Sequence, residues 1–285
     1  MLPTTHGLVL SPDAPIDMQT HTTFSDGRWK PDALIGHAKA ARFGLIAITD
    51  HDRPEIVLEI QRIAREQGQP VVIATEMTTM WRGEYTDILC YGYDPAASPI
   101  LEVCADLQRR QRENTAQTFE NLTRDGYLVP QEEINEILAL PGAAHPSAIV
   151  AALQRNGHNA HERSAGTLAR DAGHNFETID IVDAVEAAHA SGGVCIVAHP
   201  GRGVLFTEYD AALLDELRRT VPIDGIEAYY PAHSAQQVDM FLAYAAEHNL
   251  LVSAGSDSHG PNLLPIKYPA ANCRALLERL GVTVL

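Results

Sequence analysis

Between residues 16 and 27 the chain reads IDMQTHTTFSDG. An apolar start gives way at once to Gln19, His21 and Asp26, with hydroxyl residues between them and Gly27 as a turn. Amide, imidazole and carboxylate groups are metal donors, and crowding them at the end of a buried strand is hard to explain as packing. Comparable groups follow other short apolar runs. Asp50 and His51 follow 45–49, Glu76 follows 71–74, His199 follows 194–198, Glu227 closes 223–228, and Asp257 and His259 follow 251–254. Asp87 belongs to the set but stands at the start of its run, 87–91. A lone histidine beside a strand is usually structural. Agreement among several independent strand ends points instead to side chains that meet at one rim. Mixed imidazole and carboxylate donors suit zinc, manganese or iron, often in multinuclear sites.

The elements that must carry these residues alternate. The segments 45–49, 71–74, 87–91, 194–198, 223–228 and 251–254 read as short buried strands, and with the strand ending near 19 they make seven. Helices are expected from 31 to about 43, with Pro31 in the first turn and Gly44 at the end, and over 54–67, 180–190, 209–219 and 235–248. Apolar strands mostly separated by helices predict a mainly parallel, closed or nearly closed sheet. The alternation breaks from about 99 to 174: one long helix over 101–124, shorter ones over 132–138 and 148–154, then a polar, irregular stretch over 156–175. The expected organisation is therefore a strand-and-helix domain over 13–98 and 176–285, with a helical insertion over 99–175 serving as lid or substrate pocket.

Composition narrows the partners. Lys+Arg 21 against Asp+Glu 37 gives a net charge of −16, which leaves no broad basic surface for duplex nucleic acid or an anionic membrane. Cys90, Cys104, Cys195 and Cys273 are widely spaced, with no C-x-x-C pair. They read as reduced core thiols, and with no basic-then-apolar leader the expected location is the cytoplasm. No apolar run is long enough to span a membrane.

The pieces DMQTHTTFSDG at 17–27, ITDHD at 48–52, Glu76, DILCYGYD at 87–94, IVAHPGR at 196–202 and GSDSH at 255–259 occur in an order that resembles the polymerase and histidinol phosphatase (PHP) family of metal-dependent phosphoesterases. The chain is most similar to the small bacterial members with a helical insertion that act on phosphorylated nucleotides. The resemblance implies an α/β fold, a distorted seven-stranded (β/α)7 TIM-like barrel, with two or three divalent ions at its mouth. By the resemblance one ion is held by His21, Glu76 and Asp257, with Gln19 facing it. A second is held by Glu76, shared, and His199, with Asp87 facing it. A third is held by Asp26, His51 and His259. The family usually has histidine at both positions 19 and 87. A neutral amide and an anionic carboxylate there shift preference from zinc toward manganese, iron or magnesium.

The implied reaction is hydrolysis of a phosphate monoester of a small molecule, a nucleotide or sugar phosphate. Paired cations hold a water as a bridging hydroxide that attacks phosphorus, and Glu76 sets the spacing. Glu76, Asp257, His233 and Arg202 form the expected catalytic set, with His233 as leaving-group acid. Arg202, directly after AHPG, is the first candidate to anchor phosphate. Arg109 and Arg112, one turn apart on the insertion helix, are candidates for a second anion site. His145 falls where related members carry an Arg-x-His phosphate grip, with Ala143 in place of the arginine. His6, His37, His158, His161, His174, His189 and His248 read as solvent-facing or structural. Two alternatives compete: a metallohydrolase of a carboxyl or carbamate ester, and a catalytically degenerate metal- or ligand-binding module.

Overall fold

The computed structural model describes residues 2–159 and 163–285, so His161 lies outside the described residues. The chain forms two compact units, Met1–Cys104 with Ile179–Leu285, and Ala105–Thr178.

In the first unit a five-stranded sheet has the order Leu251–Ala254, Gly225–Tyr229, Val194–Val197, Ile88–Tyr91, Ala74–Met77. A four-stranded sheet has the order Tyr268–Pro269, Pro15–Asp17, Leu45–Ala47, Val71–Val72. Thr79–Trp81, Glu84–Tyr85 and Ile179–Asp180 make a small third sheet, and Val9–Leu10 pairs with Thr283–Val284.

The closed, mainly parallel (β/α)7 TIM-like barrel expected above does not form among the described residues; the fold is α/β with several mixed sheets. Chain length explains part of the difference. Only residues 78–87 separate Ala74–Met77 from Ile88–Tyr91, and much of that stretch is a hairpin of Thr79–Trp81 with Glu84–Tyr85. A parallel return needs a crossover of roughly a dozen residues or more. Ile88–Tyr91 therefore runs antiparallel to both of its neighbours. Tyr268–Pro269 is likewise antiparallel to Pro15–Asp17. At Ile73 the ladder breaks: Val71–Val72 belongs to one sheet and Ala74–Met77 to the other. The reversal has a useful result. Ile88 pairs with both Met77 and Val197, so the start of its strand lies beside the ends of its neighbours. That is why Asp87, at a strand's beginning, can join groups at other strands' ends.

Alternation along the strands builds the core. Leu45 and Ala47, Leu89 and Tyr91, and Val194, Ile196 and Ala198 pack in one buried cluster. Ile46, Ile48 and Val71 pack instead with Leu34, Ile35 and Ala38 of helix Pro31–Ala40 and Ile60 and Ala64 of helix Val57–Gln67. Each such side chain contributes about 1.5–3 kcal/mol by burial.

The second unit is helical. Helix Ser98–Arg124 enters it at residue 105 and is followed by Gln131–Leu138, His145–Arg155 and Ala165–Asp171. Phe119, Leu122, Ile134, Ile137, Ile149, Leu153 and Leu168 form its core. The short helix Ala165–Asp171, within a stretch read as irregular, starts at Ser164, whose hydroxyl accepts from the Thr167 amide. All four cysteines are free and buried. Among the described residues no helix is long and apolar enough to cross a membrane.

Candidate metal centre

The loops after the strands are stitched to one another by backbone hydrogen bonds. Asp257 N donates to Gln19 O (3.0 Å), Thr49 N to Thr20 O (2.8 Å), Glu76 N to Thr49 O (3.0 Å) and Asp52 N to Glu76 O (2.8 Å). Gly27 closes the first loop. A side chain there would meet the His21 carbonyl and the Thr22 amide at 2.6–2.7 Å, so only glycine lets the chain fold back to bring Asp26 beside His21. His199 and Asp257 sit at φ +30° and +54°, conformations that non-glycine residues rarely adopt. Such strain gathers where a side chain must be aimed.

Glu76 is the hub. It is fully buried, and its Oε2 lies 3.1 Å from His21 Nε2 and 3.8 Å from His51 Nε2. Its Oε1 lies 3.2 Å from His199 Nε2, and Gln19 Nε2 donates to Oε2 at 3.0 Å. Around it three groups bring potential ligand atoms within 4.8 Å of one another: His21, Glu76 and Asp257; His51, Glu76 and Asp87; and His21, Asp26, His51 and His259. Asp257 Oδ1 is 3.1 Å from His21 Nε2, and Asp26 Oδ2 is 3.3 Å from His259 Nε2. All nine residues expected to bind metal therefore meet in one place.

The electrostatics describe a buried anionic cage. Burial alone would raise Glu76, but His51, His199 and His21 outweigh it and hold the carboxyl well below its usual range. Burial would lower His21, yet Asp257 and Glu76 hold it well above its usual value. Burial, then Glu76 and Asp52, push Asp87 well above the carboxylate range.

The donor set fits divalent cations. Gln19 Oε1 and Nδ1 of both His21 and His199 are buried without a hydrogen-bond partner. Each such atom costs about 1–3 kcal/mol where nothing satisfies it. Their gathering around one carboxylate marks donors arranged for cations rather than for each other.

Arg202 reaches the same place. Its Nη1 is 3.7 Å from Asp257 Oδ2, and its guanidinium lies over the Phe206 ring. His233, the expected acid, has both ring nitrogens engaged: Nδ1 donates to Ala228 O (3.0 Å) and Nε2 accepts from Gly201 N (3.0 Å). It braces the turn that carries Arg202. Within the second unit, Arg109 pairs with Asp106 and Glu113, and Arg112 Nε donates to Leu138 O. His145 is buried, taking the Thr115 hydroxyl at Nδ1 (2.9 Å) and facing Leu140 O with Nε2 (3.1 Å).

Some contributors escape a reading of the sequence. Tyr230 Oη donates to Asp257 Oδ2 at 3.4 Å, and burial, then Asp257, raise its phenol so that it stays protonated. Asp50, a donor-capable group at a strand end but outside the nine, accepts from Thr22 N, Thr22 Oγ1 and Ser25 Oγ. Glu227, likewise at a strand end and outside the nine, accepts from His199 N at 3.0 Å. Their position at strand ends was the available signal; which end groups ligate and which brace is decided by side-chain direction.

No family model matches the chain. It is 28% identical over 251 residues to a 5'-3' exoribonuclease of Haemophilus influenzae, covering 86% of this chain and 90% of the relative. It is 26% identical over 253 residues to a 3',5'-nucleoside bisphosphate phosphatase of Chromobacterium violaceum, covering 87% and 88%. Among solved structures it is similar to one from Bifidobacterium adolescentis described as a metal-dependent phosphoesterase, with a TM-score of 0.74, 26% identity, and coverage of 94% and 97%.

Proposed function

We propose that this chain, which resembles the PHP-type metal-dependent phosphoesterases, hydrolyses the phosphate monoester of a nucleotide at the centre built on Glu76. The carrying observation is that two of the three donor groups share Glu76, while His21 and His51 join the third to them. His21, Glu76 and Asp257, with Gln19, would hold one ion; Glu76, His199, His51 and Asp87 a second; Asp26, His51 and His259 a third. The amide and the extra carboxylate suit manganese or iron, with magnesium also accommodated, better than an all-imidazole set would. Bound divalent ions supply Lewis acidity toward phosphoryl oxygens and lower the pKa of water.

The chain's own groups do the rest. Arg202, at the edge of the cage, takes a phosphate oxygen and offsets its charge. The stacked Phe206 ring keeps the guanidinium extended toward Asp257. The Tyr230 hydroxyl, held protonated, is a donor for an oxygen seated beside Asp257. His233 fixes the Gly201 turn, so the arginine approaches from one direction.

A second reading, trimming of RNA from its 5' end, is favoured by the exoribonuclease name of the 28% relative. The test is a panel of nucleoside monophosphates, a 3',5'-bisphosphate, a 5'-phosphorylated oligoribonucleotide, and carboxyl and carbamate esters. Chelated protein should release no phosphate, and Mn²⁺ should restore release from nucleotides. Phosphate release unchanged in EDTA, or hydrolysis confined to the carbon esters, would overturn the proposal.

A further inference from the structure

A second cluster of donors lies at the other end of the strand that leads to His199. Cys195, near the start of Val194–Val197, is fully buried. His189, in the last turn of helix Ile181–Ala190, and Asp224, just before Gly225–Tyr229, converge on it. One ligand atom from each of the three lies within 4.8 Å of the others. His189 Nε2 is 2.8 Å from Asp224 Oδ2, and the same oxygen accepts from Cys195 N at 2.7 Å. Cys90 is the direct cross-strand partner of Cys195, and the two sulfurs share a hydrogen bond. Gly193 makes the room: a side chain there would stand 2.7 Å from Cys90 Sγ.

Structural packing accounts for Asp224, which takes the amide of Cys195. It does not account for an imidazole and a thiol converging on that carboxylate. We propose that Cys195, His189 and Asp224 form a thiolate site for a zinc ion, separate from the catalytic centre. A soft thiolate with imidazole and carboxylate is a zinc donor set, and the harder centre around Glu76 contains no sulfur. From Cys195 to His199 is four residues of extended chain, about 13 Å at roughly 3.3 Å per residue, so the two sites do not share ligands. The two thiols close the site inward. His189 and Asp224, each about one-third exposed at 33% and 36%, give the ion its way in.

Cobalt separates the two sites, because only this one can give a thiolate-to-cobalt charge-transfer band. The full-length protein, stripped of metal and kept reduced and anaerobic, is titrated with Co²⁺. The band should grow in, should survive Glu76→Gln, and should vanish in Cys195→Ser. His189→Ala, a change at a partly exposed position that spares the core, should weaken cobalt binding at the band at least tenfold. Cobalt bound with no sulfur band overturns the proposal. So does a band that persists in Cys195→Ser, or unchanged affinity in His189→Ala. None of these readouts is catalytic, so they stand apart from the fate of the phosphoesterase assignment.

Discussion

Replacing Glu76 by glutamine is the sharpest perturbation of the centre. The side chain keeps its shape, and its amide oxygen can still accept from Gln19 Nε2, which now lies 3.0 Å from Oε2. What changes is one negative charge set among three imidazoles at 3.1, 3.2 and 3.8 Å. Glu76 belongs to two of the donor groups and not to the third, formed by His21, Asp26, His51 and His259. Loss of an outer partner to a metal ligand already costs about 10–100-fold in affinity. Loss of a direct anionic ligand should cost at least about 100-fold for each ion it serves, or about 2.7 kcal/mol at 1.36 kcal/mol per tenfold. Two ions should therefore weaken together while the third is retained. Metal per chain after gel filtration in chelator-buffered solution reads this directly, with phosphate release measured on the same samples. If the Glu76→Gln protein keeps the full metal complement of the native chain, Glu76 is not the shared ligand and the centre has been assigned wrongly.

Two further outcomes follow from contacts at other positions. Arg202→Ala should lower kcat/KM for a phosphate monoester about 10- to 100-fold, the size of a lost charge-assisted hydrogen bond of about 1.5–3 kcal/mol, with the lower end favoured because the side chain is 40% exposed; a change within twofold would show that phosphate is held elsewhere. In the helical unit, burial, then the charge of His145, lowers His174 from 6.5 to about 4, so the unfolded chain binds the proton more tightly. Its contribution, about 3 kcal/mol at most before solvent screening, is complete above pH 6.5 and is lost as pH falls toward 4. Urea midpoints between pH 7 and 4.5 should drop less in His174→Gln than in the native chain, and an equal drop would refute the assignment.

The candidate metal donors, which the structure gathers in one place, were legible because their chemistry is written in residue type and their place at a strand end is local. Gln19, His51, Glu76, His199 and Asp257 need no knowledge of sheet order to be found. Sheet closure was not legible. It depends on direction and register in strands as short as Val71–Val72, and on the ten-residue stretch 78–87 being too short for a crossover helix. Asp87 joined the expected set although it stood at the wrong end of its strand, and the antiparallel course of Ile88–Tyr91 supplies the reason. His233 marks another limit. Its proximity to the centre could be read from its place after a strand, but the engagement of both its nitrogens is a matter of side-chain direction. Helix Ala165–Asp171 was hidden because seven residues hold too little apolar periodicity to stand out.

The negative charge of the chain also has an internal use that charge counting cannot locate. Asp17 accepts from the amides of Gln19, Ser256 and Ile266, which ties the first ligand loop to the one carrying Asp257. Asp50 holds Thr22 and Ser25, and so the turn that presents Asp26. Asp52 accepts from Thr78 N and Oγ1, just beyond Glu76, and Glu227 holds the amide of His199. Burial raises Asp17 to about 7 and Asp52 to about 6, so each resists ionisation where it sits. Four buried carboxyl groups that are not themselves in the donor groups thus hold the backbone of those that are. Left-handed backbone at Asp52, His199 and Asp257 costs of order 1–3 kcal/mol each, and these brackets are what oppose it. A donor set aimed before any cation arrives loses little to reorganisation on binding, and that is the condition under which a neutral amide such as Gln19 can serve where imidazole is usual.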